Sequence, residues 1–278
     1  MKEFDLVIIG FGKAGKTLAK FASQQGQTVA VVEQFPAMYG GTCINIGCIP
    51  SKTLVKEGLK GHDFTTAMSR KRDVVEALNH KNYHNLADEE HITVFDHQAR
   101  FKSNTEVELL NSSGEVEDVV TAPHIVINTG AKAVIPDIEG VATSQRLYDS
   151  TGILNLATQP KHLVIVGGGY IALEFASMFA NFGSEVTVLE RGNTIMARED
   201  QEIAAEVVKD LENKGIRIIT NAETQKFVDE TETTVVQTTQ GNFNADVVLL
   251  AIGRQPNTEL GLDHTDIELG SRGEIQVN

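Results

Sequence analysis

The strongest constraint on this chain is a pattern that it carries twice. Phe4-Asp5-Leu6-Val7-Ile8-Ile9 reads as an apolar strand and Gly10-Phe11-Gly12-Lys13-Ala14-Gly15 as a tight turn. A helical stretch to about Gln25 follows, then a second strand, Thr28-Val29-Ala30-Val31-Val32-Glu33. The same order returns in His162-Leu163-Val164-Ile165-Val166, Gly167-Gly168-Gly169-Tyr170-Ile171-Ala172, a helical stretch to about Phe182, and Glu185-Val186-Thr187-Val188-Leu189-Glu190. In each copy the acid lies 23 positions after the first glycine. The first glycine permits the turn, the second lets the backbone approach a pyrophosphate, and the third position lets helix and strand pack closely. The helix N-terminus faces the phosphate charge, and Glu33 and Glu190 are placed to accept hydrogen bonds from ribose hydroxyls. One such turn is weak evidence, since a glycine-rich turn beside a surface glutamate is ordinary. Two in register imply an α/β fold with two Rossmann-like dinucleotide-binding domains.

A length of 278 residues suits about two domains of roughly 150 residues. The net charge of −14 makes the average surface repel phosphate backbones and anionic membranes, so nucleic acid and membrane are not expected partners. No apolar run approaches the roughly 18 residues of a membrane span, and the N-terminus enters a strand pattern without a cleavable signal. The chain is therefore expected in the cytoplasm.

Between the two copies, residues 51–86 read as mostly helical, with Val74, Val75 and Leu78 spaced for a buried stripe. Residues 91–128 change period: His91 to Phe95, Thr105 to Leu110 and Val116 to Val120 read as short strands, with Asn111-Ser112-Ser113-Gly114 as a turn. Ile125 to Gly130 and Val247 to Gly253 are apolar strands that each end in glycine. Tyr148-Asp149-Ser150-Thr151-Gly152 reads as a junction. The family resemblance set out below implies a division into 1–148 for the first domain, 149–266 for the second inserted into it, and 267–278 as the start of a return strand to the first.

The chain has two cysteines, Cys43 and Cys48, in Gly40-Gly41-Thr42-Cys43-Ile44-Asn45-Ile46-Gly47-Cys48-Ile49-Pro50-Ser51-Lys52. In a cytosolic protein a close pair points to redox chemistry or metal binding. An i, i+5 pair in a regular helix is about 7.5 Å apart along the axis, beyond the usual disulfide Cα separation of about 4.4–6.8 Å. A disulfide there needs a locally distorted helix start. Two unrelated buried thiols are the plain alternative. Zinc is disfavoured, because its thiolate pairs are usually closer in sequence and no second pair exists. His80 and His84, at i, i+4, could hold a metal, but a solvated helix face explains them as well, and no metal is expected.

Taken together, Gly10 to Gly15, Gly41 to Lys52, Thr129-Gly130, Gly167 to Glu174 and Gly253-Arg254-Gln255-Pro256-Asn257 resemble the pyridine nucleotide-disulfide oxidoreductases. These flavoenzymes include glutathione reductase, dihydrolipoamide dehydrogenase and mercuric reductase. Tyr39, Cys43-Ile44-Asn45-Ile46-Gly47-Cys48 and Lys81-Asn82-Tyr83-His84-Asn85-Leu86 are most similar to a bacterial reactive-chlorine-resistance subgroup. The resemblance implies FAD in the first unit and NADH or NADPH in the second, NADH being favoured by Glu190 although Arg191 and Arg198 lie close by in sequence. It implies electron flow from nicotinamide through flavin to a Cys43–Cys48 disulfide, and on to hypothiocyanous acid or copper(II). Cys48 would be the thiol nearer the flavin, and Cys43 the exposed thiol that meets substrate. Lys52 would pair with Glu174 beside the flavin, and Tyr170 would gate the flavin face; a core aromatic is the plain alternative for Tyr170, and surface charges for Lys52 and Glu174. The cofactor-contacting positions implied are Gly10, Gly12, Ala14, Gly15, Glu33, Gly41, Thr42, Lys52, Ala99, Thr129, Gly130, Gly167, Gly169, Tyr170, Ile171, Glu190, Arg191, Gly253 and Arg254.

Members of the family continue past a segment like Ser271 to Asn278 with a second flavin motif and an interface domain that builds a homodimer and supplies a His-Glu acid-base pair. By that comparison the chain is expected to be a fragment, with His264 in a polar loop and no substitute for the missing histidine. A non-catalytic nucleotide-binding module whose cysteines sense oxidants is the contrasting expectation.

Overall fold

The computed structural model describes residues 1–278. Its helices are α1 (Lys13–Gln24), α2 (Thr42–Asn45), α3 (Cys48–Leu59), α4 (Phe64–Ala87), α5 (Tyr170–Asn181) and α6 (Gln201–Asn213). No helix is long and apolar enough to cross a membrane. The chain divides into two compact units. The first comprises Met1–Ile49, Asp73–Lys132 and Gln255–Asn278, and the second Pro50–Arg72 and Ala133–Arg254.

In the first unit, Leu6–Ile9, Val29–Val32, Ile92–Phe95 and His124–Ile127 form a parallel sheet in which the strands stand third, second, first, fourth by sequence. This is the order of a mononucleotide-binding half. The central pair is buried along its whole length, as parallel strands covered on both faces require. A second sheet, Lys2–Glu3, Val116–Thr121, Glu106–Leu110 and Gln98–Phe101, packs Val107, Leu109 and Val120 against Val7, Ala30 and Val32.

The second unit repeats the design. Its parallel sheet runs Leu147–Tyr148, Val247–Leu250, His162–Val166, Glu185–Leu189, Arg217–Ile219. The four strands after the edge pair carry the same order as in the first unit, read from the opposite end. The antiparallel strands Thr224–Asp229, Thr234–Thr238 and Gly241–Ala245 cover one face through Phe227 and Val236. On the other face α5 packs Phe175 and Phe179 with Leu54, Phe64 and Met68.

The units differ in extent from the division at 148/149 and 266/267. Residues 133–148 lie with the second unit, because Leu147–Tyr148 pairs with Val248–Leu249 and Glu139 bridges Lys226. Tyr148 to Gly152 is therefore no junction. Residues 255–266 lie with the first, where Phe101 N–H donates to Leu260 O at 2.7 Å and Leu260 and Leu262 enter the core. Residues 267–278 lie with the first unit, as a tight turn rather than a strand: Leu269 bridges Ile275, and Gly270 N–H donates to Glu274 O at 2.7 Å. His264 ends a single 3-10 turn, Leu262–His264, whose Leu262 is buried, so this stretch is more than a polar loop. Val74, Val75 and Leu78 are only half-buried on α4; the expected buried stripe is instead met further along by Asn82 and Leu86.

Candidate functional site: two dinucleotide turns and a dithiol

The two glycine turns match atom for atom in their main interactions. Gly10 has φ +103° and Gly167 φ +115°, a region that disfavours any side chain. A Cβ on either would lie 2.4 Å from a carbonyl oxygen of the neighbouring strand end, Asn128 O or Ala251 O. Glu33 accepts from the N–H of Phe11 at 3.0 Å and of Phe35 at 3.1 Å. Glu190 accepts from the N–H of Gly168 at 2.7 Å and of Gly192 at 2.6 Å. Each acid therefore ties its strand end to the residue after the first glycine. Each carboxylate oxygen keeps a further lone pair for a ribose hydroxyl.

The residues present fit a dinucleotide in each unit. α1 and α5 begin after Gly12 and Gly169, and neither N-cap offers a side chain to the first-turn N–H groups. α6 differs, since Asp200 caps it by accepting from Glu202 N–H and Ile203 N–H. The two helices that follow glycine turns thus leave their N-terminal donors for an outside anion, as phosphate-binding helices do. Ala14 is exposed in the first turn of α1, and Gly15 and Ala172 are buried where helix meets strand. Asn128, which sequence reading passed over, sits beneath the first turn and donates from Nδ2 to Gly10 O at 3.0 Å. Its one signal is a polar residue closing an apolar strand.

Thr129-Gly130 and Asn257 lock reciprocally within the first unit. Thr129 Oγ1 donates to Asn257 O at 2.6 Å, Asn257 Nδ2 to Thr129 O at 2.9 Å, and Asn257 N–H to Gly130 O at 3.0 Å. Ala99 has its side chain in the core of the same unit, so only its main chain could meet a ligand.

Pro50 explains the geometry of the cysteines. A continuous helix through residues 42–59 would place Pro50 in its interior, without an N–H and against the carbonyl four residues back. The chain instead closes the single turn α2 at Ile46, and restarts as α3 at Cys48, which puts Pro50 in a first turn, where its missing donor costs nothing. Cys43 lies in α2 and Cys48 opens α3, so the expected local distortion is present. Gly41 precedes α2 with φ +75°, and its Cβ would lie 2.6 Å from Gly12 Cα. The cysteine loop is therefore pressed against the first dinucleotide turn. Thr42 begins α2 and is exposed. Asn45 Nδ2 donates to Tyr39 O and Gly41 O, and Asn79 Nδ2 to Asn45 Oδ1 at 3.1 Å, which fixes α2 on α4.

Both cysteines are free thiols. Their hydrogen bond to each other, with burial, pushes the Cys43 thiol above its ordinary range, and Lys13 and Lys16 oppose this. Cys43 is half-buried, and Cys48 at the head of α3 is exposed.

In the second unit, Lys52 pairs with Glu174, and Ser51 Oγ donates to the same carboxylate at 3.1 Å. Tyr170, the first residue of α5, is 64% exposed and hydrogen-bonds Glu199, which raises its phenol pKa. It is therefore not a core aromatic. Ile171 is half-buried beside it, Arg191 and Arg198 are exposed, and Gly253, beyond the strand end at Leu250, has φ +137° next to a half-buried Arg254. The rings of His80 and His84 on α4 lie 4.3 Å apart and tilted, and no group of three metal-ligating side chains exists that could hold a metal ion.

The family model for pyridine nucleotide-disulphide oxidoreductases matches residues 4–278. The chain belongs to that family. Within it, the chain is 47% identical over its whole length to the probable pyridine nucleotide-disulfide oxidoreductase RclA of Escherichia coli (strain K12), of which it spans 63%. It is 34% identical to the dihydrolipoyl dehydrogenase of Geobacillus stearothermophilus, of which it spans 62%. It thus covers under two thirds of the length of these relatives. A solved structure, the Cu(II) complex of HOCl-induced flavoprotein disulfide reductase RclA from Escherichia coli, matches all of this chain and 63% of that one, with a TM-score of 0.96 at 46% identity.

Proposed function

We propose that this protein is an FAD-dependent NAD(P)H oxidoreductase whose Cys43–Cys48 pair cycles between disulfide and dithiol and delivers electrons to a small oxidant. The observation that carries this reading is the pair of mutually hydrogen-bonded thiols on a loop pressed against a dinucleotide turn. The names of its relatives, a flavoprotein disulfide reductase and a dihydrolipoyl dehydrogenase, support it. When bound, FAD and NAD(P)H supply hydride and electron transfer. In this chain Gly10, Gly12, Glu33, Gly41 and Thr129 would hold the flavin dinucleotide, and Gly167, Gly169 and Glu190 the nicotinamide one. NADH is the favoured donor, because Glu190, fixed by two backbone N–H groups, would set a carboxylate against a 2′-phosphate.

Hypothiocyanous acid is the proposed oxidant, and Cu(II) an additional one. The HOCl induction and the Cu(II) named for the Escherichia coli relative point this way. The Cys43 thiolate attacks the electrophilic sulfur and hydroxide leaves, forming a sulfenyl thiocyanate on Cys43. Cys48 then displaces thiocyanate from it and closes the disulfide, so two thiols are oxidised and the oxidant ends as thiocyanate and water. Turnover of NADH by the whole FAD-loaded protein tests this, with hypothiocyanous acid set against glutathione disulfide, lipoamide and Hg(II). Hypothiocyanous acid should be reduced fastest, and Cys43→Ser and Cys48→Ser should each abolish turnover. Preference for one of the other oxidants reassigns the substrate, and full activity in either variant overturns the dithiol route.

A further inference from the structure

We propose that Lys16, held in place by Asn82, is a charge-positioning residue for Cys43, and that the pair makes this thiol selective for small anionic reagents. The inference rests on reading Cys43 as the thiol that meets the oxidant.

Asn82 is 6% exposed, and both ends of its amide are committed. Nδ2 donates to Leu78 O at 2.6 Å, which leaves Oδ1 as the acceptor for the Lys16 ammonium. The same side chain buttresses the cysteine loop: a Cβ on Gly40 would stand 3.0 Å from Asn82 Cγ. One buried amide therefore fixes both the cation and the approach to α2. Lys16 bonds to a neutral oxygen, so its charge is not cancelled there. One turn further along α1, Lys20 is paired with Glu89 at 2.9 Å. Lys13 and Lys16 are the cations whose fields reach Cys43, but Lys13 is exposed at the start of α1 while Lys16 is half-buried and tethered. A fixed cation beside a thiol stabilises the thiolate and raises the local concentration of anions. Reagents such as pseudohalide oxyanions, and anionic leaving groups, would be favoured over neutral ones of equal reactivity.

The chain has two cysteines, so Cys48→Ala leaves Cys43 alone to be alkylated. Its rates with iodoacetate, an anion, and iodoacetamide, a neutral analogue, give a ratio that reports the charge at the thiol. Lys16→Met should lower that ratio about fivefold, Lys16→Arg should retain it, and Asn82→Ala should lower it partway. High salt should erase the difference between the proteins with and without the Lys16→Met substitution. An unchanged ratio in Lys16→Met, with circular dichroism showing the fold intact, overturns the proposal. So does an equal fall in Lys16→Arg, which would make shape and not charge the cause. Neither alkylating agent needs flavin, so failure here leaves the redox assignment standing, and failure of turnover leaves this ratio unaffected.

Discussion

Replacing Gly167 and Gly169 separately by alanine should have opposite consequences, although both lie in one turn. At Gly167, φ is +115° and the new Cβ would sit 2.4 Å from Ala251 O and 2.9 Å from Ala251 C. Both neighbours are backbone at the end of a buried strand, so they cannot swing away as a side chain would. The left-handed conformation and the forced overlap together cost about 2–5 kcal/mol. At about 2–4 °C per kcal/mol for domains of this size, Tm falls by roughly 4–20 °C. At Gly169, φ is −89° and no atom lies within 4 Å of the new Cβ. Alanine there loses only N-cap preference, at most about 1 kcal/mol. Its methyl nevertheless stands at the mouth of α5, where a pyrophosphate would approach. Urea denaturation with equilibrium NADH binding separates the two effects. Gly167→Ala should lose stability, and Gly169→Ala should keep stability and lose NADH affinity. A Gly167→Ala protein as stable as the wild type would refute the steric reasoning.

Other substitutions follow from the same contacts. Cys48→Ala removes the partner whose hydrogen bond does most to raise the Cys43 thiol, so Cys43 should ionise at lower pH, read from the pH dependence of its alkylation by iodoacetamide. Lys52→Met breaks an exposed ion pair with Glu174 and should cost less than about 1 kcal/mol by urea denaturation. A larger loss would mean the pair supports the fold. Asp118 is held down to about 2 by the Val119 N–H and the Lys2 ammonium, against an ordinary value of 3.8. Its folded-state pKa is depressed, so its contribution is present above the ordinary value and disappears as pH falls through about 2. The stability gap between wild type and Asp118→Asn should therefore narrow over that window, measured as the urea midpoint at successive pH values.

The parts of this fold legible in sequence are those whose meaning is local. Glycine, apolar strand and terminal acid define each nucleotide half, and Glu33 and Glu190 hold equivalent places in the two, each bridging two backbone N–H groups. Pro50 dictates the interruption between Cys43 and Cys48 by a rule that acts over four residues. What was not legible depends on choices between distant surfaces. An amphipathic stretch with Leu54, Phe64 and Met68 needs an apolar partner, but nothing in its periodicity says that Phe175 and Phe179 supply it. The packing that fixes the cysteine loop joins Asn45 to Asn79, and Lys16 to Asn82, across 34 and 66 residues of chain. Polar residues on a helix read as solvent-facing until their acceptors are known.

The most direct test of the central claim, that reducing equivalents from NADH reach the Cys43–Cys48 pair, is an anaerobic thiol count on the oxidised, FAD-loaded protein. NADH should release both of the chain's two cysteines as titratable thiols, with none appearing when NADH is withheld and no change on addition to Cys43→Ser. A flavin bleached by NADH while both cysteines stay oxidised would contradict the account.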